Sequence, residues 1–110
     1  MITDKTGAPT TVTAEPDRFA IAVEGQSVGF TEFADRNGQR VFLHTEVADG
    51  FEGRGLATIL IGEALQATRD AGLRIVAVCP MVAAYVDKHH EFADVVDPIS
   101  RDIKRWLTNF

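Results

Sequence analysis

The chain contains almost no cysteine and no long apolar run. Both absences restrict the classes of protein to which it can belong. Among its 110 residues Cys79 is the single cysteine, so no disulfide can form within the chain. A lone thiol fits a reducing compartment. The sequence has no run of about 18 apolar residues from which a transmembrane helix could be built, and residues 1–17 lack the basic and apolar regions of a signal peptide. We therefore expect a cytoplasmic protein that contacts no membrane.

Positive charge is also scarce. The 11 Lys and Arg residues are outnumbered by 16 Asp and Glu residues, which gives a formal net charge of -5. The basic residues are scattered, whereas binding to nucleic acid needs them clustered. We therefore exclude nucleic acid as the main partner. A polyanionic cofactor is still compatible with the sequence, provided that backbone amides and a helix end supply most of the anion recognition.

The first half of the chain has the pattern of a sheet. Residues 1–17 are polar and predict a mostly mobile N-terminal tail, with Thr11–Ala14 as an optional edge extension. The domain itself is predicted over residues 18–110. Alternating apolar residues indicate strands over 18–24, 27–33 and 40–47. Gly25-Gln26 and Asn37-Gly38 are predicted as the short turns between them. Three such strands form an antiparallel meander, one face of which needs cover.

The second half supplies that cover. The remaining predicted elements are a helix over 55–71, an interior strand over 73–79, a second helix over 81–90, a short extended piece over 92–96 and a C-terminal helix over 99–107. Gly72 is the expected left-handed end of the first helix. The strand over 73–79 is almost continuously apolar, which is typical of a strand covered on both faces and parallel to the strand before the helix. The fold class is therefore α+β.

A glycine-rich turn, Glu52-Gly53-Arg54-Gly55-Leu56-Ala57, links the third strand to the long helix. Glycine allows a ligand to approach the backbone closely, and the unpaired N–H groups at a helix start attract anions. The turn is not a P-loop, because no Lys-Ser or Lys-Thr follows it. The dinucleotide fingerprint would need a glycine where Thr58 stands. These residues alone leave a phosphate site and a plain strand-to-helix turn equally open.

The order of elements together with this turn resembles the GCN5-related N-acetyltransferase superfamily. The pyrophosphate loop of that superfamily reads Q/R-x-x-G-x-G/A, and the turn matches its ending but has Glu52 at its first position. The short, single-domain branch is the more similar one, on the residues His44-Thr45-Glu46-Val47, Cys79-Pro80, Tyr85 and His89. The resemblance covers roughly Phe19–Val96. It implies the minimal acyl-CoA N-acyltransferase fold, in which helix, parallel strand and helix follow the meander.

The resemblance also implies a cofactor, acetyl-CoA or coenzyme A (CoA), and the residues that bind it. Main-chain groups of the turn would hold the pyrophosphate, from Gly53, Arg54, Gly55, Leu56 and Ala57. Val47 and nearby amides would contact the pantetheine arm between the third strand and the parallel strand, which brings the thioester close to Cys79. The Arg54 side chain either adds a charge contact to a phosphate or is an ordinary solvated loop arginine. No metal is implied.

Two side chains on the third strand are candidate bases for an acceptor amine. His44 and Glu46 lie two residues apart and so share a face, although a solvated sheet face would have the same pattern. Imidazole titrates near neutrality, whereas a carboxylate needs burial to do so. The resemblance implies Tyr85 as the acid for the leaving thiolate, with an ordinary amphipathic-helix residue as the alternative. His89 lies one turn beyond Tyr85 and contacts the adenosine end or nothing.

Cys79 separates two mechanisms. A lone buried cysteine usually behaves as a small hydrophobe, but this one lies beside the expected thioester and before a helix N-terminus. Cys79 either accepts the acyl group and passes it on, or the amine attacks the thioester directly, as in most of the superfamily. The resemblance thus implies an N-acetyltransferase acting on an unidentified small-molecule or protein amine. A non-catalytic CoA-binding or regulatory module and a ligand-free interaction domain are the alternatives. We expect a monomer or a weak homodimer.

Overall fold

The computed structural model describes residues 2–109, and within them it contains six strands, three α-helices and one 3₁₀ helix. In chain order the elements are β1 (Thr10–Ala14), β2 (Arg18–Val23), β3 (Gln26–Arg36), β4 (Gln39–Val47), α1 (Leu56–Asp70), β5 (Arg74–Ala77), α2 (Pro80–Lys88), the 3₁₀ helix (His90–Val95), β6 (Val96–Asp97) and α3 (Arg101–Leu107). The α+β class predicted from the sequence is confirmed.

All six strands form one sheet in which spatial order follows chain order, from β1 to β6. The strands β1 to β4 are antiparallel to their neighbours, whereas β4, β5 and β6 run parallel. The predicted meander and the parallel strand after the helix are therefore present. Two edge strands extend the predicted arrangement, β1 at one side and β6 at the other.

The two tight turns show how local chemistry sets the hairpins. Asn37 and Gly38 have φ angles of 48° and 77°, as expected for a turn that needs two left-handed residues. The first hairpin differs from the prediction. Its left-handed residues are Glu24 and Gly25, with φ angles of 50° and 84°, and Gln26 already belongs to β3. The pairing of Val23 with Gln26 leaves only the two residues between them for the turn.

The core is divided between the two faces of the sheet. On one face α1 and α2 cover the larger cluster, which includes Phe42, Leu60 and Ile75. On the other face α3 covers a smaller cluster of Val41, Val76 and Ile103. Ile75 and Val76 are neighbours on β5, and both are 0% exposed. This explains the continuous apolar run of the sequence, because β5 is covered on both faces.

A β-bulge in β4 changes which side chains face the helices. Glu32 pairs with His44, but the next pair is Phe33 with Phe42, so that Leu43 is an extra residue. A one-residue bulge reverses the alternation beyond it. Leu43 packs in the α3 cluster. Along β4, the nearest side chains before and after the bulge that face α1 are therefore three residues apart instead of two.

The C-terminal third departs from the predicted pattern in detail. The segment predicted as an extended piece over 92–96 is mostly the 3₁₀ helix, and only Val96–Asp97 pairs as a strand with β5. The last helix begins at Arg101, two residues later than predicted. The side chain of Ser100 caps it by accepting a hydrogen bond from the Ile103 N–H at 3.2 Å. The position of this capping serine, rather than the spacing of the apolar residues, determines where the helix begins.

The N-terminal segment is attached to the domain, in contrast to the mostly mobile tail predicted for residues 1–17. The optional extension is present as β1, which pairs along its whole length with β2. Before it, residues 2–8 form a segment that we call the N-terminal strap. The Asp4 side chain is 0% exposed and accepts hydrogen bonds from Thr6 and from the Ala8 N–H. The domain boundary at residue 18 stays a prediction, and Met1 lies outside the described residues.

Asp4 also binds the glycine-rich turn. The Arg54 guanidinium lies 2.6 Å from its carboxylate. Hydrogen bonds from the Thr6 hydroxyl, from Arg54 and from two backbone N–H groups lower the pKa of Asp4 from 3.8 to about 2, and the Thr6 hydroxyl has the largest effect. Burial acts in the opposite direction. Because the folded-state pKa lies below the unfolded one, Asp4 stabilises the fold above about pH 4. That contribution is lost as the pH falls through 2.

We therefore expect Asp4→Asn to lower the urea midpoint of unfolding at pH 7, because the amide leaves Arg54 without its charge partner. The difference from wild type should shrink between pH 3.8 and pH 2. Urea titrations followed by circular dichroism check this. Asp87→Asn, at an exposed aspartate of α2, is the control and should show no such pH-dependent difference. A loss that is equally large at pH 2 would contradict the account.

Candidate active site

The sheet opens between β4 and β5. The two strands pair only from Gln39 to Phe42 on β4. At that point the carbonyl of Phe42 accepts two hydrogen bonds, from the N–H of Val78 at 3.1 Å and from that of Cys79 at 2.9 Å. The chain then turns away into α2. Within the described part of the chain, no strand pairs with this side of β4 beyond Phe42.

The open half of β4 presents main-chain groups to this gap. On its other side the Ala48 N–H donates to the Val28 carbonyl, and β3 pairs with β4 as far as Val47. In an antiparallel pair, alternate residues direct their N–H and C=O groups toward the partner strand. Counting back from Ala48, Thr45 and Val47 direct theirs away from β3. Their main-chain groups therefore face the gap, where an extended ligand could bind as an added strand.

The N-terminus of α1 lies beside the same gap. Gly53 and Gly55 have φ angles of 78° and 79°, a conformation that glycine adopts readily. Gly55 is the N-cap, no side chain caps the helix, and its first turn contains no acidic residue. The first N–H groups of α1 are thus available to an anion. A groove of about 330 Å³ lies over them, lined by Lys5, Val47, Phe51, Glu52, Gly53, Gly55, Leu56, Ala57, Thr58 and Met81.

The two charged side chains of the turn point away from its centre. The Glu52 carboxylate accepts a hydrogen bond from the N–H of Gly50 at 2.9 Å, so it folds back onto the preceding residues. Arg54, for which a phosphate contact was one of two predicted roles, instead pairs with Asp4. Its guanidinium also lies 5.0 Å from the ring centre of Phe51. The Arg54 guanidinium is therefore held by Asp4 and the Phe51 ring, and its two predicted roles stay predictions.

Tyr85 and His89 lie in a second groove, of about 230 Å³, between α1 and α2. Ala57 and Met81 line both grooves, so the two are adjacent. The rings of Tyr85 and His89 are stacked, with centres 3.8 Å apart and planes 9° from parallel. The Tyr85 hydroxyl oxygen lies against α1 where a Cβ on Gly62 would come within 2.7 Å of it. Gly62, which the sequence did not indicate, leaves room for this hydroxyl.

The surroundings of Tyr85 keep its hydroxyl protonated. Burial raises its pKa above the ordinary value of 10.0, and the negative charge of Glu91 acts in the same direction. At neutral pH the group is therefore a proton donor and not a base. The acid role that the resemblance implies for Tyr85 stays a prediction.

Cys79 is the first residue after the opening and the N-cap of α2. It is 2% exposed, and its Sγ lies 3.3 Å from the Thr45 hydroxyl oxygen. That oxygen in turn lies 2.9 Å from the hydroxyl of Thr31. The bulge in β4 makes this contact possible, because it turns Thr45 and not His44 toward α1. The thiol thus lies in a buried row of hydroxyl groups, with no hydrogen bond to a histidine or carboxylate within residues 2–109.

His44 and Glu46 lie on the opposite face of β4 from Thr45. The His44 Nε2 is 2.8 Å from a Glu46 carboxylate oxygen, and both side chains are more than half exposed, at 53% and 61%. The predicted sharing of one face is therefore seen as a direct contact. An edge of the Phe30 ring, 6.1 Å between ring centres, packs on His44. These side chains lie on the face of β4 that α1 and α2 leave uncovered.

A shallow groove of about 340 Å³ leads along that face. Glu46 and Phe30 line it together with Arg18, whose guanidinium lies 4.3 Å from the centre of the Phe30 ring. No pattern in the sequence places Arg18 or Phe30 near the candidate bases. Cross-strand pairing of Phe30 with Glu46 is the only signal, and it becomes visible once the strand register is known.

Neither a metal-binding cluster nor a membrane-spanning helix is present within residues 2–109. No group of three or more His, Cys, Asp and Glu side chains there could hold a metal ion. No helix in that part of the chain combines the length and the apolar character that crossing a membrane requires.

The split sheet, the glycine turn and the uncapped helix define a class, that of the N-acetyltransferase fold. The family model of GCN5-related N-acetyltransferases matches residues 18–95, and the chain belongs to that family. A solved structure of similar fold is the solution NMR structure of a GCN5-like protein from Staphylococcus aureus, assigned provisionally as an N-acetyltransferase. It is 20% identical, with a TM-score of 0.63 over 83% of this chain and 91% of that one. A search of curated proteins found no match. Family and fold together support an acetyltransferase-type function.

The burial of Cys79 leads to a prediction about its reactivity. In the native protein, a thiol reagent such as DTNB should react at least about 10²-fold more slowly than with the urea-unfolded chain, because reaction must wait for local opening. Absorbance of the released thiolate measures both rates. Equal rates in the native and the unfolded protein would contradict the buried position.

Proposed function

We propose that the chain transfers an acetyl group from acetyl-CoA to an amine, and that the amine attacks the thioester directly. The observation that carries this proposal is the open half of β4 beside the uncapped N-terminus of α1. An amide-containing arm can pair with the main chain of Thr45 and Val47, and a pyrophosphate can accept hydrogen bonds from the first turn of α1. Both features fit coenzyme A, and they lie along two adjacent grooves.

Acetyl-CoA supplies an activated acyl group, and the residues of the chain orient it and move protons. The amides of Gly53, Gly55, Leu56 and Ala57 supply the anion site. The main chain of Val47 positions the arm, and the thioester end is directed toward the gap beside Cys79. On this model Tyr85 and His89 line the part of the path that lies between α1 and α2.

The acceptor amine enters from the opposite face of the sheet. His44, hydrogen-bonded to Glu46, takes the proton that the amine loses as its nitrogen bonds to the acyl carbon. The carbon–sulfur bond breaks, and the Tyr85 hydroxyl gives a proton to the departing thiolate. The products are an N-acetylated amine and the free thiol of CoA. The gap between β4 and β5 is what allows groups on the two faces to act on one bond.

Direct attack fits the surroundings of Cys79 better than an acyl-enzyme does. An attacking cysteine needs a base or a positive group that generates the thiolate. The Cys79 thiol instead contacts the Thr45 hydroxyl and is 2% exposed. We therefore assign Cys79 a packing role beside the thioester.

Incubation of the purified protein with acetyl-CoA and a panel of amines tests the proposal, with release of CoA thiol as the measurement. Cys79→Ala should retain most of the activity, since no covalent intermediate forms on it. His44→Gln should lower kcat roughly 10²-fold at pH 7. Thiol release that never exceeds the amine-free background would instead favour a non-catalytic CoA-binding module. Loss of activity in both Cys79→Ala and Cys79→Ser, with CoA binding retained, would instead support a mechanism with an acyl-enzyme intermediate on Cys79.

The role of Tyr85 has a separate test, because Gly62 allows its hydroxyl to be displaced without removing it. Tyr85→Phe should lower kcat about 10²-fold. Gly62→Ala places a Cβ 2.7 Å from the present position of the hydroxyl oxygen, which must then move, so this variant should lower kcat similarly. Its melting temperature should change little, because the displacement of the hydroxyl is offset by the higher helix propensity of alanine, about 1 kcal/mol over glycine. The double variant should be no worse than Tyr85→Phe alone. Full activity of Tyr85→Phe would remove Tyr85 from the mechanism.

A further inference from the structure

Arg54 is the basic residue nearest in sequence to the N-terminus of α1, and it already has an ion-pair partner. The Arg54 Nε and Nη2 lie 2.8 Å and 2.6 Å from the Asp4 carboxylate, whose side chain is 0% exposed. If Arg54 turned toward a phosphate, it would leave that buried carboxylate without its charge partner and with only the neutral donors of Thr6 and Ala8, which is unfavourable. Glu52 adds a negative charge to the same turn. A cation for the phosphate site must therefore come from elsewhere in the chain.

The N-terminal strap brings such a cation. The Lys5 N–H donates to the Arg54 carbonyl at 2.9 Å, which fixes the backbone of the strap against the turn. The aliphatic stem of Lys5 then lies across Gly55, with its Cε 3.4 Å and its Cγ 3.5 Å from the position that a Cβ on Gly55 would take. Glycine is favoured at position 55 by its φ of 79°, and the Lys5 stem lies at ordinary van der Waals distance from that Cβ position.

The ammonium group of Lys5 is not used by the fold. Lys5 is exposed, and within residues 2–109 its side chain forms no hydrogen bond or ion pair. It lines the groove of about 330 Å³ over the first turn of α1, together with Gly53 and Ala57. An ordered stem with an unpaired ammonium end, held over main-chain N–H groups, is the arrangement that binds a phosphate oxygen.

From these contacts we infer that Lys5 is the phosphate-binding cation of the coenzyme site, and that Asp4 is the residue that positions it. The strap carries the positive charge that the turn lacks at Glu52. The inference rests on the proposed function, because it takes the pyrophosphate of CoA as the anion. It assigns the strap, residues 2–8, a part in binding, although the family model begins only at residue 18.

Calorimetric titration with three probes tests the inference without any activity measurement. The probes are CoA, dephospho-CoA, which retains the pyrophosphate but lacks the 3′-phosphate, and pantetheine, which has no phosphate. Lys5→Ala should weaken CoA and dephospho-CoA by about tenfold each, the loss expected for one charge-assisted hydrogen bond. It should leave pantetheine unchanged and make CoA binding less dependent on salt. Lys104→Ala, at an exposed lysine of α3, is the matched control and should bind all three like wild type.

A double-mutant cycle tests the part assigned to Asp4. Asp4→Asn should weaken CoA binding in the wild-type background, but it should have little further effect in the Lys5→Ala background. An equal effect in both backgrounds would show that Asp4 acts on the turn and not through Lys5. Melting temperatures of each variant, measured beside the titrations, show which samples are folded at the titration temperature.

The outcomes separate the inference from the proposed function. If wild type binds CoA and Lys5→Ala binds it equally well, the inference is overturned and the function stands. The inference also fails if Lys5→Ala weakens CoA but not dephospho-CoA, because the contact would then be with the 3′-phosphate. If wild type binds neither CoA nor dephospho-CoA, the proposed function fails and the inference fails with it.

Discussion

A single carbonyl group determines the shape of the site. The Phe42 carbonyl accepts the N–H groups of both Val78 and Cys79, and after this shared hydrogen bond β5 can no longer follow β4. The chain turns into α2, while β4 continues for five residues with one side unpaired. The bulge at Leu43 acts just after this point and directs Thr45 and Val47 toward the helices. The gap, the row of hydroxyl groups at Cys79 and the separate face of His44 and Glu46 all depend on this divergence.

The second constraint is electrostatic and comes from the beginning of the chain. Asp4 is buried, so it requires partners, and Arg54 together with Thr6 and Ala8 provides them. This pairing attaches the strap to the glycine turn and occupies the Arg54 guanidinium. A net charge of -5 does not prevent the binding of a polyanion, because backbone N–H groups and one ordered lysine provide the local positive potential.

Periodic patterns in the sequence predicted most of the fold, and local contacts explain what they missed. The strands around Ile21 and Val41 and the helix around Leu60 have clear apolar periods, so their type and order were predictable. The position of the strap could not be predicted in this way, because the strap has no apolar period. Hydrogen bonds to the Asp4 side chain hold it in place. The bulge at Leu43 has no sequence signature of its own. The left-handed glycines of the turn could be predicted from the sequence, whereas the ion pair of Arg54 could not, because its partner Asp4 lies 50 residues earlier.

Backbone amides report the central claim most directly. The claim is that CoA lies in the gap between β4 and β5, with its pyrophosphate on the first turn of α1. A titration of ¹⁵N-labelled protein with CoA, followed by amide chemical shifts, measures this residue by residue. The account predicts the largest shifts at Thr45, Val47 and the amides from Gly53 to Ala57, with little change in α3. Saturable shifts confined to other surfaces, or none at millimolar CoA, would contradict it.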